Sequence, residues 1–419
     1  MRTSSRPLLP AGLMDAGFAS LTTFAVGVYA NRSLSPAQFG AYALFLAAFS
    51  LAAAVPAQLI LNPAQNFSVV RPPTERLGLL SQTWRLGLLP SLTAAVVATT
   101  AAFLLAEAPA DVRWPLALTA ACCATVSPLQ DHVRRCLHMG EASWRAAGVS
   151  AVQFLSVAAF LALLAQLDVA EVWRPFGALT LANIASASVG FALTRRQLRA
   201  IRLPPYRMRE VIRSGRWLLG MESATTGAVF LTSALITRLV SAEALGYAEA
   251  ARLIAQPILV LATGLGAVLG PQLLEAGANR DGARSHRLTQ RFIGLLLAAG
   301  LLYGAVTIVP WPGNILAHLV AGAYTVGGLV SASVLASVLV GIAFPYRSTL
   351  VGAGRERVLP MAAVVAGALH SAVAATAGLT GAFAQPLGFA VYGLVLSLAY
   401  RRYAQAVFKA PHPVLNVSG

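Results

Sequence analysis

Charge is scarce in this chain, and what there is leans one way. Only 11% of its 419 residues are Asp, Glu, Lys or Arg, against about 25% in an ordinary soluble protein. Lys409 is the one lysine, and the acids number 15. So little polar surface excludes a water-soluble enzyme or binding module of this length. Cysteine is nearly missing as well. Cys122, Cys123 and Cys136 have neither zinc-ligand spacing nor an even pairing, which argues against a structural metal or a disulfide framework. There is no nucleophile elbow, no phosphate-cradling glycine loop followed by lysine, and no cluster of metal ligands. No catalytic residue, cofactor or metal is therefore expected. The strand alternation of an outer-membrane barrel is also missing.

What fills the chain is hydrocarbon: 57% of the residues are hydrophobic. Uncharged apolar runs recur from end to end, and roughly 20 such residues cross a bilayer. Twelve spans are predicted, at 8–31, 37–62, 86–106, 114–137, 146–167, 174–194, 217–237, 246–274, 288–309, 322–346, 358–378 and 382–403. The first is too long, and too interrupted by Asp15, for a cleavable signal peptide. Phe292–Tyr346 is too long for one crossing, and Pro310-Trp311-Pro312-Gly313 divides it. The expected fold class is an all-α polytopic membrane protein.

The basic residues orient these spans. The densest stretch, Arg195–Arg216, reads RRQLRAIRLPPYRMREVIRSGR and divides the chain near its middle. With the amino terminus inside, twenty-six basic residues fall on inside segments and only Arg32, Arg113, Arg174 and Arg238 on outside loops. Arginine accumulates on the cytoplasmic side of membrane proteins, so both termini are predicted cytoplasmic. The formal net charge of +16 is thus an orientation signal. A nucleic-acid partner is not expected, because the basic runs flank lipid-spanning segments. Arg71–Arg85 and Ile201–Arg216 mix basic and apolar residues and are predicted to include short helices lying on anionic lipid.

The halves repeat each other. At an offset of 206, Arg32-Ser-Leu-Ser-Pro-Ala-Gln-Phe-Gly40 falls on Arg238-Leu-Val-Ser-Ala-Glu-Ala-Leu-Gly246. Asp15 and Glu222 sit near the inner ends of the paired first helices, one residue out of this register. Six spans per half gives a parallel repeat about an axis along the membrane normal. The predicted units are an N-terminal bundle at 1–200, a basic amphipathic linker at 201–216 and a C-terminal bundle at 217–419.

The turn N-R-S-L-S-P-A-Q-F-G-A-Y (Asn31–Tyr42) resembles the polysaccharide transporter branch, with the O-antigen flippases, of the multidrug/oligosaccharidyl-lipid/polysaccharide (MOP) exporter superfamily. Ser241–Pro257, R-R-C-L-H-M-G-E (Arg134–Glu141) and L-V-G-A-G-R-E-R (Leu350–Arg357) resemble further segments of that family. The exit of the second span departs from it. Gln58, Asn62, Pro63, Gln65 and Asn66 stand where the family is usually glycine-rich with a following basic residue. The resemblance implies two pseudo-symmetric six-helix bundles in the MATE-like flippase arrangement. It implies a bacterial inner-membrane protein that flips or exports a lipid-linked saccharide, carried on polyprenyl pyrophosphate, by alternating access. Proton or sodium coupling and contact with polysaccharide assembly proteins would go with that role. A multidrug or cation exporter of the same superfamily and a non-transporting component of a polysaccharide biosynthesis complex remain alternatives.

Charges inside spans are costly and point to function. Arg252, with Glu249 three residues away on the same helical face, is a candidate to bind substrate phosphate. Arg134, at the end of the fourth span where Asp131 can pair with it or with Arg135, and Arg347 at the inner mouth are further substrate-binding candidates. Asp15, Glu222 and His370 are the candidates for ion coupling or gating. His318 is expected to be a packing histidine.

Overall fold

The computed structural model describes residues 8–69, 73–140, 142–198, 208–308 and 326–409. The expected break at Pro310–Gly313, His318 and residues 199–207 of the arginine-rich stretch lie outside them. Among the described residues the chain is helical, with no strand. The first half contributes α1 (Leu8–Ser33), α2 (Pro36–Pro56, then a π-helical turn Ala57–Leu61, then Asn62–Val69), α3 (Pro73–Leu105), α4 (Ala110–Met139), α5 (Ser143–Gln166) and α6 (Arg174–Leu198). The second contributes α7 (Met208–Leu239), α8 (Ala242–Ala278), α9 (Gly282–Ile308), α10 (Leu329–Gly341 continued by Ala343–Gly352), α11 (Val358–Ala374) and α12 (Ala384–Lys409). Ten of these are long and apolar enough to cross a membrane. The other two are α4, whose last turns carry Asp131, Arg134 and Arg135, and α11, which is 17 residues long.

Two helices begin well ahead of their predicted starts. α3 starts at Pro73 and α7 at Met208, so the basic-apolar segments before them, as far as they are described, continue the spans and do not lie as separate surface helices. At 1.5 Å per residue, α3 is about 50 Å long. That exceeds a hydrocarbon core of about 30 Å, so its basic first turns extend beyond the lipid tails.

The repeat is visible in the packing. In the first half α1 packs on α5, α5 on α6, α6 on α4, α4 on α3 and α2, and α2 on α3. In the second half α7 packs on α11, α11 on α12, α12 on α10, α10 on α9 and α8, and α8 on α9. These are the same pairings shifted by six helices. The duplicated turns behave alike too. Ser35 caps α2, accepting from the Gln38 N–H, while the Gln38 side chain accepts from the Ser35 N–H at 3.1 Å. Ser241 caps α8, accepting from the Ala244 N–H at 3.0 Å. Such caps satisfy backbone N–H groups that a helix leaves open at its start.

The halves meet where α2 crosses α8. A Cβ on Gly40 would overlap the Ala242 carbonyl, and one on Gly246 would overlap the Pro36 carbonyl. The contact is reciprocal at the 206 offset, so it lies on the pseudo-twofold axis. One apolar cluster joins the halves here. Phe39, Tyr42, Phe45 and Phe176 of the first half are continuous with Ile236, Leu245 and Ile254 of the second. At the arginine-rich end α2 meets α7, where Val211 packs on Ile60 and Leu61 and Gly215 lies on the Leu59 backbone. Facing away from all this, Leu89, Val97, Leu155, Leu301 and Leu302 are exposed. An apolar outer face of this kind suits lipid.

Candidate functional site

Polar groups collect at three places in the bundle. The first is on α8. One helical turn separates Glu249 from Arg252, and the guanidinium grips the carboxylate with two bonds, Nε–Oε2 at 2.8 Å and Nη2–Oε1 at 2.5 Å. Gln385 of α12 donates to Glu249 Oε2 at 3.4 Å. Glu249 and Gln385 are buried, and Gln385 Oε1 has no partner among the described residues. Arg252 is partly open. It lines a cleft of about 90 Å³ between α8, α10 and α12, with Ser333, Ser337, Gln385 and Phe389 on the walls. Glu249 is not part of that lining. The i,i+3 spacing foretold the ion pair; it gave no sign of Gln385, which is 136 residues away.

The second place is at the arginine-rich end of the first half. Asp15 of α1 is buried. Its carboxylate accepts from Ser150 Oγ of α5 at 2.5 Å and lies 2.9 Å from His138 Nε2 of α4. Arg134 approaches it at 3.6 Å, donates to Ser150 Oγ at 3.3 Å, and pairs with Asp131 at 2.5 Å. Asp131 also pairs with Arg135 at 2.7 Å, and Arg135 donates to Asn62 Oδ1 of α2 at 2.7 Å. Three helices of one half, plus the end of α2, are thus tied by an internally neutralised network. Asp15, an ion-coupling candidate, and Arg134, a substrate candidate, are brought together here. Sequence reasoning missed His138 and Ser150, which are 123 and 135 residues from Asp15.

The third place is a pocket of about 630 Å³ between α7, α10 and α11, lined by Trp217, Met221, Arg347, Val351, Arg355 and Arg357, among others. Arg347 is therefore placed with other residues of the second half and not with Arg134. Glu222 is partly buried, and its carboxylate has no ion pair among the described residues. His370 is buried on α11 against Phe389 and Tyr392, with ring centroids 4.9 and 6.1 Å away. Its Nε2 has no partner among the described residues. Tyr392 itself is hydrogen-bonded to Thr225 of α7 at 2.6 Å.

Among the described residues no group of His, Cys, Asp and Glu is arranged to hold a metal ion.

No family model matches the sequence, and no curated protein does. Solved structures do. An inward-facing conformation of a multidrug resistance MATE family transporter of the MOP superfamily superposes with a TM-score of 0.71 at 15% identity, over 93% of this chain and 95% of that one. The outward-facing conformation of such a transporter gives 0.69 at 16%, over 96% of each chain. The fold is that of the MATE transporters. A MOP superfamily transporter from Pyrococcus furiosus, described as having a binding pocket of reversed polarity that suggests a different function, gives 0.67 at 17%, again over 96% of each chain. At these identities the likeness is one of fold. A MATE-type fold accounts for the helix pairings that repeat between the two halves.

Proposed function

We propose that this protein is a secondary transporter that moves an anionic, lipid-linked saccharide precursor across a bacterial inner membrane by alternating access of its two halves, 1–200 and 217–419. The observation that carries the reading is the polarity of the cleft between α8, α10 and α12. Arg252 is the charged residue of its lining and Glu249 is not part of that lining; their pair uses Nε and Nη2 of the guanidinium and leaves Nη1 for a ligand. A planar guanidinium suits phosphate oxygens, and Ser333, Ser337 and Gln385 offer hydrogen bonds to a sugar. A cation exporter needs open carboxylates. Of the carboxylates named within the spans, Asp15, Asp131 and Glu249 are each held by an arginine and only Glu222 has no ion pair among the described residues, which counts against that alternative. The reversed pocket polarity described for the Pyrococcus furiosus transporter indicates that such a fold accommodates more than one charge preference.

In this reading Glu222, which has no ion pair among the described residues, carries the coupling proton or sodium ion. Asp15 serves as an internal tie in the first half, and His370 packs against Phe389 and Tyr392 of α12 within the second. The test is reconstitution in liposomes with a polyprenyl pyrophosphate-linked sugar. Translocation above a protein-free control, lost in Arg252→Gln, is expected. Translocation of an organic cation with none of the saccharide lipid would overturn the proposal.

A further inference from the structure

The two halves share a socket at the arginine-rich end, and only one of them fills it. The helix pairings make α1, α4 and α5 of the first half equivalent to α7, α10 and α11 of the second. Two registers align them residue by residue. α1 and α7 end at Ser33 and Leu239, and α2 and α8 begin at Pro36 and Ala242, an offset of 206. This places Asp15 on Met221. α4 and α10 end with the same hydrogen bonds at an offset of 213. The Gly140 N–H donates to Cys136 O as the Ala353 N–H does to Thr349 O, each at 3.0 Å. The Ala142 N–H donates to Leu137 O as the Arg355 N–H does to Leu350 O, each at 2.9 Å. This places Arg134 on Arg347 and His138 on Val351. Continued into α11, the same offset places Ser150 on Ala363.

The arginine is thus kept while its partners are replaced. In the first half Arg134 faces Asp15, Asp131 and Ser150, with His138 on the same carboxylate. In the second half the matching positions are Met221, Phe344, Ala363 and Val351, all without charge. The space is the pocket of about 630 Å³, and Met221, Arg347 and Val351 line it. Arg355 and Arg357 join Arg347 there, against one carboxylate, Glu356. None of the three guanidinium groups has an ion pair or side-chain hydrogen bond among the described residues. Arg347, Arg355 and Arg357 are exposed to this pocket, and Arg347 shares it with Met221 and Val351 without an ion pair, so its guanidinium is open to an anion from outside.

We propose that the α7/α10/α11 pocket is a binding site for a phosphate-bearing anion, which takes the place that the Asp15 carboxylate occupies in the first half. The remaining wall shows what carries the phosphate. Trp217 at the rim is half exposed, with Arg216 over its ring at 5.0 Å, and Leu218, Val358 and Leu359 are apolar. A basic pocket between spans beside an interfacial tryptophan suits an anionic phospholipid head group with its chains along the helices. The site is separate from the Arg252 cleft and stands whatever that cleft carries.

The experiment is a titration of the purified full-length protein in mild detergent, read by native mass spectrometry. The probes are short-chain phosphatidylglycerol, phosphatidylcholine of the same chain length, and inorganic pyrophosphate. Wild type is expected to prefer phosphatidylglycerol. Losing the guanidinium in Arg347→Gln should weaken that binding about tenfold, as for one charge-assisted contact. Met221→Asp, which restores the carboxylate of the first half, should weaken it as much by satisfying Arg347 internally. Arg145→Gln, at the same end but outside the pocket lining, should bind like wild type. Pyrophosphate binding with the same variant pattern and no lipid binding supports the site and puts its ligand in solution. Wild-type affinity in both Arg347→Gln and Met221→Asp, or equal binding of the zwitterionic lipid, overturns the proposal. If Met221→Asp does not elute as a folded monodisperse species, Arg347→Gln decides alone.

Discussion

Gly40→Ala tests the axis on which the two halves meet. Two effects oppose each other. Replacing glycine by alanine within a helix stabilises by about 1 kcal/mol through backbone entropy. Against this, the new methyl would overlap the Ala242 carbonyl and lie 3.0 Å from the Gly246 nitrogen. Both are backbone atoms of α8, so no side chain can swing aside. The helices must separate, and overpacking of this kind costs about 1–3 kcal/mol or more. Separation also loosens the contacts around Phe39 and Tyr42, which are fully buried beside the crossing. Overlap with backbone puts the cost at the upper end of that range, about 2–3 kcal/mol, leaving a net loss of about 1–2 kcal/mol. Gly227→Ala in α7 is the matched control, because nothing lies within 4 Å of its added Cβ. Thermal unfolding in detergent, followed by fluorescence-detected gel filtration, should give a lower midpoint for Gly40→Ala and no loss for Gly227→Ala. Equal midpoints for the two variants would refute the close α2–α8 crossing.

Other outcomes follow from the polar clusters. Asp15→Asn leaves Arg134 and His138 facing a neutral amide in a buried network, and should destabilise by roughly 1–3 kcal/mol. The double change Asp15→Asn with Arg134→Gln should lose less than the sum of the single changes, read from the same unfolding curves. Arg252→Lys should fail to restore transport lost in Arg252→Gln, because an ammonium cannot reproduce the two-pronged grip on Glu249; initial uptake rates in liposomes measure this. Thr225→Val should lower the unfolding midpoint by about 1 kcal/mol equivalent, since it strips the Tyr392 hydroxyl of its 2.6 Å partner.

The helices were legible in the sequence because hydrocarbon runs and arginine-rich breaks alternate. The starts of α3 and α7 were not. Their first turns combine arginine with leucine or isoleucine, a pattern that serves equally for a helix lying on lipid and for one projecting out of it. Burial of Val211 on Ile60 and Leu61 favours the projecting form for α7. The Glu249–Arg252 and Asp131–Arg134 pairs were readable because three residues is nearly one helical turn. The ties of Asp15 to Ser150 and His138 were not, because a serine among alanines in α5 carries no sign of a partner over a hundred residues away. Reading Glu222 as the counterpart of Asp15 required slipping the register by one, whereas strict register gives Met221, and the structure follows strict register.

The π-helical turn in α2 has a consequence for reading any related chain. Such a turn holds one residue more than α-helical bonding requires, and one residue is about 100° of rotation. Everything after Leu61 is therefore swung around the helix axis relative to a regular continuation. That swing presents Asn62 to Arg135 and Gln65 to His132. A chain lacking one residue between Pro56 and Asn62 would keep its length almost unchanged yet turn both amides off α4, so a gapless superposition of sequences there would match side chains that point in different directions.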